Sequence, residues 1–367
     1  MESQMLASLQ KLKARIDAFP RMTLTTLPTP LEKLSKLSHQ FNVNLYIKRD
    51  DQTGLAMGGN KSRKLEFIIA DALGQGADSI ITWAGVQSNW CRQLAAAAWC
   101  AGIEPFLLIF KRPGLPSEDD GNLLLDEILG ADISIFELEK DSPIAELQQV
   151  QKFVDIVARR AKERGKRPYL APIGGSRLEG SMRRPWGAIG YVNAMIELTE
   201  QAATRGIVID QLVFATSSGS THAGLLAGAR LLDSPTTILG ISMSEPKEEL
   251  TRVIEDIGSR TLSEFTGAEL CKEIGEVTVL DDYIGGGYGV LDAQIVRAIA
   301  LVAKKEGILL DPVYTAKAMA GLIDLCARGY FRSGENVVFL HTGGTPALFP
   351  YRQGILEYLD CQVEPKA

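Results

Sequence analysis

From about residue 44 the chain alternates short β-branched runs with longer helical patterns, and this rhythm limits its fold more than any other feature. Strands are expected at 44–48, 78–83, 105–110, 133–137, 169–173, 212–215, 238–243 and 337–341. Helices are expected at 62–73, 89–101, 144–163, 186–203, 221–232, 293–305 and 314–327. Such an α/β succession calls for parallel-rich sheets covered by helices on both faces. At 367 residues the chain is long for one core, so two lobes are expected. Residues 1–30 read as an N-terminal arm with a helix and an extended entry strand. Residues 31–70 with 175–367 read as a large domain, and 71–174 as a small one carrying a surface loop at 111–121.

Composition narrows the partners. The net charge is -6 and no basic run breaks the balance, which counts against nucleic acid or an anionic membrane. The N-terminal stretch spaces its charges through an amphipathic pattern, without the apolar block of a signal peptide, and no apolar run has the length of a membrane span. A cytoplasmic protein is expected. Five cysteines, odd in number and without a Cys-x-x-Cys pair, suggest neither a disulfide framework nor structural zinc. His39, His222 and His341 are far apart in sequence, so no metal is expected and the two later histidines read as structural.

Two strand-to-helix junctions carry chemistry. Gly58-Gly59-Asn60-Lys61 follows the strand LYIKRD and opens the helix SRKLEFIIADAL. The glycines let the backbone approach a ligand, and a lysine at the positive end of a helix dipole holds its proton less tightly. That suits an amine which forms an imine and then serves as a base. Taken alone, the turn reads first as a solvated lysine at an ordinary helix start, and it gains weight only from its companions. The second junction, Ala215 to Gly224, follows the apolar strand QLVF. It gathers small hydroxyl residues around Gly219 at a helix N-terminus, a nest for a phosphate dianion. Its alternative is a helix cap without a ligand. Neither Walker A spacing nor an early Gly-x-Gly-x-x-Gly is present, so nucleotide readings are weak.

Read in order, PTPLEKL, IKRDD, AMGGNKSRKLEF, AGVQSNWCRQLAAAA, PIGGS, SSGSTHAG, GYGV, GILLDPVYTAKAMAGL and HTGGTPALF resemble the fold-type II, tryptophan-synthase-β-like pyridoxal-phosphate enzymes. Within these the chain is most similar to the D-cysteine desulfhydrase and 1-aminocyclopropane-1-carboxylate (ACC) deaminase family, from about Pro28 to Phe349. The resemblance implies that the large domain binds pyridoxal 5′-phosphate, that Lys61 is the Schiff-base lysine, and that the protein is a homodimer acting on a small amino acid. Asn89 would bond the cofactor's 3′-oxygen, Gln87, Ser88, Asn89 and Trp90 would surround the substrate carboxylate, and Ser218, Gly219, Ser220 and Thr221 would hold the phosphate. Ser88, Tyr288 and Tyr314 would join Lys61 in catalysis, with Tyr314 against the cofactor ring and Thr315 beside it.

Position 315 helps to choose the reaction. ACC deaminases resemble this segment but carry a glutamate there, which keeps the pyridine nitrogen protonated and the electron sink deep. Thr315 is what desulfhydrases carry, and a hydroxyl cannot hold a ring N–H⁺ as a carboxylate does. The resemblance thus implies β-elimination. Lys61 takes the Cα proton, a thiolate or other group leaves Cβ, and the product hydrolyses to pyruvate and ammonia. L-cysteate sulfo-lyase, ACC deaminase and a cofactor-binding protein without turnover are the alternatives. Two departures bear on the substrate. Trp90 stands where relatives have histidine, and its indole belongs either beside the carboxylate loop or in the core of its helix. Residues 177–189 form a longer link than the family's, with Arg177, Arg183 and Arg184. These would either meet a second anionic group or, as the preferred reading, lie on a solvated surface loop.

Overall fold

The computed structural model describes residues 2–116, 119–139, 142–267 and 274–360. Two sheets organise it. The larger runs β1 (Leu31–Lys33), β2 (Asn44–Lys48), β10 (Asn336–Leu340), β7 (Gln211–Thr216), β8 (Thr237–Ser242) and β9 (Thr278–Leu280), in that order across the sheet. Only β1 with β2 is antiparallel. The smaller sheet orders β5 (Asp132–Glu137), β4 (Glu104–Lys111), β3 (Ser79–Gly85) and β6 (Pro168–Leu170), all parallel. Helices cover both, as the alternating pattern requires. β3 and β4 are buried along nearly their whole length, which only a sheet covered on both faces allows.

The eight expected strands are all present, within a few residues at each end. The expected strand at 169–173 stops at Leu170, and a tight turn over Ile173–Gly175 follows. Elements not expected are β1, β9, α2 (Ser35–Phe41), α5 (Asn122–Ile128), α9 (Lys247–Thr266) and α12 (Arg352–Asp360). For α9 the signal was available: Leu250, Ile254 and Ile257, then Leu262 and Phe265, recur at helical spacing and are buried. The helix stops where Gly267 takes φ 74°.

Strand order decides where a site can form. β2, β10 and β7 are adjacent and parallel. After the ends of β2, β10 and β7 come, respectively, the loop to Lys61, the turn Thr342–Gly344 and the loop Ser217–Gly219. Ligands of open α/β sheets sit at such carboxyl ends, where strand order breaks.

Candidate active site

Lys61 is the first residue of α3 (Lys61–Gly74). The loop before it is forced into shape: Gly58 and Gly59 have φ of 69° and 127°. A Cβ on Gly58 would come within 2.0 Å of the Asp51 carbonyl, and one on Gly59 within 2.5 Å of Gln93 Nε2. The Asn60 N–H donates to Thr342 O at 2.9 Å and its side-chain amide to Thr221 Oγ1 at 3.3 Å, so three strand ends are laced together. The Lys61 amine donates to Asn60 Oδ1 at 3.2 Å. Burial lowers its pKa to about 8, against the opposing pull of Asp311. The expected direction holds, but desolvation rather than the helix dipole leads.

The Ser217–Gly219 loop runs into α8 (Ser220–Leu231), with Gly219 at φ 90°. The Ser176 hydroxyl lies 2.8 Å from both Ser218 Oγ and Ser220 Oγ, and Ser220 Oγ accepts from Lys64 Nζ at 2.8 Å. Lys64 also donates to Gly174 O at 3.3 Å. It is fully buried, pairs with no carboxylate among the described residues, and is pushed well below its usual pKa by burial and by the nearby Lys61. Sequence reasoning missed it. The signal was its place three residues after Lys61, on the same helix face.

The loop after β3 carries the next group. Ser88 caps α4 (Asn89–Cys100) by accepting from Cys91 N at 3.2 Å. Asn89 Oδ1 accepts from Arg92 Nη1 at 3.0 Å and from Asn122 Nδ2 at 3.1 Å. Gln87 spends both ends of its amide nearby, accepting from Asn122 N at 2.9 Å and donating to Asp120 O at 3.0 Å. Its side chain is thus a brace for the loop, its carbonyl accepts from Asn122 Nδ2, and its backbone N–H is what remains for a ligand. Trp90 takes the second of the two places open to it. The indole is 2 % exposed, donates to Thr82 Oγ1 at 2.7 Å, and lies against the Gly175 turn. It sits behind the Gly174–Gly175 turn that supports Ser218 and Lys64.

Two tyrosines and a threonine complete the ring. The hydroxyls of Tyr288 and Tyr314 meet at 2.5 Å, with the rings edge to face. Burial raises both pKa values, that of Tyr288 to about 12, so both are neutral phenols near pH 7. Lys317 holds the Tyr288 loop by donating to Ile284 O and Gly287 O. Thr315 is fully buried at the start of α11 (Thr315–Ala327). Its hydroxyl donates to Asp311 Oδ1 at 2.7 Å and accepts from Asp311 N at 2.8 Å. Asp311 also takes the N–H groups of Val313, Tyr314 and Thr315.

The three arginines of the 177–189 link are engaged elsewhere. Arg177 pairs with Glu146 at 3.1 Å, Arg183 donates to Gly180 O, and Arg184 lies 3.7 Å from Glu264. His222 is fully buried and edge-on to Phe214, its pKa lowered to about 3 by burial, and His341 contacts Leu309 O. Among the described residues no cluster of three His, Cys, Asp or Glu could hold a metal, and no helix is long and apolar enough to cross a membrane.

The pattern of the family described as "Pyridoxal-phosphate dependent enzyme" matches residues 22–343. The chain belongs to this family. It is similar to the D-cysteine desulfhydrase of Serratia proteamaculans (strain 568), 39% identical over 343 residues, covering 93% of this chain and 98% of that protein. It is also similar to the D-cysteine desulfhydrase of Salmonella choleraesuis (strain SC-B67), 40% identical over 338 residues, covering 91% and 96%. A solved structure of an "ACC deaminase homologue" superposes with TM-score 0.82 at 34% identity, over 95% of this chain and 99% of its own. Threonine deaminase isoform 2 of Solanum lycopersicum, at 16% identity and TM-score 0.62, shares the fold.

The cofactor of this enzyme is pyridoxal phosphate, and the geometry fits it. A phosphate dianion needs hydroxyls, a helix N-terminus and a cation, and Ser218, Ser220, α8 and Lys64 supply them together. An aldehyde needs an amine that is neutral in an appreciable fraction, and Lys61 is one.

Proposed function

We propose that this pyridoxal-phosphate enzyme is a carbon–sulfur lyase that removes the β-substituent of a small amino acid, D-cysteine or a close analogue, giving pyruvate, sulfide and ammonia. The reading draws on the names of its relatives and on one observation in this chain. Where a carboxylate would meet the pyridine nitrogen of an ACC deaminase stands Thr315, whose proton is engaged by Asp311. In this reading residues 31–70 with 175–367 form the cofactor domain and 71–174 the small domain, in a cytoplasmic homodimer.

When bound, the cofactor supplies the electron sink that makes a Cα proton removable. The protein's residues do the rest. Lys61 anchors the cofactor and then takes the Cα proton on Nζ, a role its lowered pKa suits. Ser218, Gly219, Ser220, Thr221 and Lys64 hold the phosphate. Asn89 donates to the 3′-oxygen, while Ser88 and the backbone of Gln87 and Asn89 bind the substrate carboxylate. Tyr314 lies against the ring, and the Tyr288–Tyr314 pair passes a proton to the departing group.

A panel of D-cysteine, L-cysteine, ACC and L-cysteate, read by keto-acid detection, tests this. Sulfide and pyruvate from D-cysteine are expected, with Lys61→Ala inactive and lacking the wild-type visible band. 2-Oxobutyrate from ACC, or sulfite from L-cysteate, as the fastest reaction overturns the assignment.

A further inference from the structure

Two buried residues beside the site, Arg92 and Asn122, have no role in the proposed reaction. Arg92, on the second turn of α4, is fully buried, and its guanidinium reaches three neighbours. It donates to Asn89 Oδ1 at 3.0 Å, to Asn122 Oδ1 at 2.5 Å and to the Gly58 carbonyl at 2.8 Å. Asn122, fully buried at the start of α5, in turn donates from Nδ2 to Asn89 Oδ1 at 3.1 Å and to Gln87 O at 3.0 Å. A guanidinium has donors only, so any amide that meets it must present oxygen. Arg92 therefore fixes the orientation of both amides. With two donors on Asn89 Oδ1, the group Asn89 has left to present is its NH₂.

We propose that Arg92 and Asn122 are positioning residues that turn the Asn89 amide nitrogen toward the cofactor's phenolic oxygen. By holding Gly58 as well, Arg92 keeps the lysine loop and the 87–89 loop in one register. Without them the Asn89 amide can rotate by a half turn and set its oxygen against an oxyanion, reversing a favourable contact. This deepens the assignment of Lys61 and Asn89 made above and rests on it.

The test uses the purified holoenzyme. A donor to the phenolic oxygen stabilises its anionic form, so losing that donor moves the pH midpoint of the visible band of the lysine-linked cofactor upward. Arg92→Lys gives up the fork that serves three acceptors at once. Asn122→Leu, close in size and uncharged, removes the amide that donates to Asn89 Oδ1 and Gln87 O and adds no charge. The ionisable groups around the cluster are Asp126 on α5, Cys91 on α4, and Lys61 and Asp311 on the large-sheet side, all left in place.

For each variant we expect the cofactor content of wild type and a midpoint raised by about one unit. kcat should fall about tenfold with KM within about twofold, as for a group that acts on the reacting state. In an Asn89→Ala background neither substitution should move the midpoint further. Unmoved midpoints in the single variants, or shifts that add to that of Asn89→Ala, overturn the proposal. If Arg92→Lys fails to fold, Asn122→Leu decides. A wild-type protein with no lysine-linked band overturns the assignment of Lys61 and this inference with it. A normal band with an unmoved midpoint overturns the inference alone.

Discussion

The two sides of helix α3 hold their charges in opposite ways. On one side Arg63 is fully buried and gripped by two acids, with Nε and Nη2 donating to Asp50 at 2.9 and 2.8 Å and Nη2 to Glu197 at 2.9 Å. Lys48 bonds the same Glu197, Tyr191 donates to Asp50, and Thr29 of the N-terminal arm joins both acids. Glu66, on the next turn, takes the N–H groups of Leu24 and Thr25 and pairs with Arg21. On the other side Lys61 and Lys64 meet hydroxyls and carbonyls and no carboxylate at bonding distance among the described residues. Burial acts on both sides, yet the outcomes have opposite signs. The acids raise the Arg63 pKa despite burial, while Lys64, which lacks them, falls well below its usual value. A cation paired within the chain holds the fold together. One left without an internal anion costs stability until a ligand brings the anion.

Breaking the paired side gives the largest effect. Arg63→Ala leaves Asp50 and Glu197 buried with one cation fewer, and is expected to cost about 3–5 kcal/mol in urea unfolding. The cofactor band of whatever protein folds should keep its wild-type position. A loss below about 1 kcal/mol would mean that the pairing is not what holds the arm and α7 (Trp186–Thr204) to α3.

The unpaired side is expected to respond with the other sign. Lys64→Met removes a buried amine whose proton burial disfavours, so the cofactor-free protein should be as stable as wild type or more so. Its affinity for pyridoxal phosphate should drop by roughly 10- to 100-fold, the worth of one charge-assisted hydrogen bond. Fluorescence titration gives the affinity and urea unfolding the stability. Lower stability with unchanged affinity would move Lys64 to the structural side of the comparison.

Lys61 sharpens the same contrast through pH. A folded amine that releases its proton at about 8, rather than at 10.5, should attach the cofactor faster as pH rises toward 8 and level off above. Below that point the rate should change about tenfold per unit. In the same protein without cofactor, the unfolded lysine keeps its proton up to 10.5, so between 8 and 10.5 the unfolded state binds more protons. Stability therefore rises with pH in that window. An attachment rate still climbing at pH 10 would place the amine in a solvated setting.

How much of this was legible in the sequence follows from the distance along the chain over which each feature is defined. The lysine turn and the hydroxyl loop are local: glycines with positive φ and small hydroxyls at strand-to-helix junctions announce themselves. Tyr314 and Thr315 came through the resemblance alone. The cross-links were not legible, because Arg92 meets Asn122 thirty residues on and Lys64 meets Ser220 far beyond that. Nor was the facing of Trp90. Nine of the twelve residues of α4 are buried, so apolar periodicity marks no single inner face. The element α5, which supplies Asn122, went unread because seven residues with Leu at three consecutive positions carry too little periodicity to separate helix from strand.

The exposed arginines of the 177–189 link mark the weak end of the comparison. Arg184 is half exposed and reaches Glu264 at 3.7 Å, beyond good hydrogen-bond distance, while stacking on Trp186. Water screens such a pair, so Arg184→Ala should change unfolding stability by no more than about 0.5 kcal/mol. If the link only tethers surface elements, the ratio of kcat/KM for L-cysteate to that for D-cysteine should stay within about twofold of wild type. A selective loss of the sulfonate substrate would instead mean that Arg184 leaves Glu264 to meet an anion, and would place it with Lys64 among the cations whose partner is a ligand. The Glu264 contact argues for the first outcome, since a cation already facing a carboxylate must give up that contact to take another.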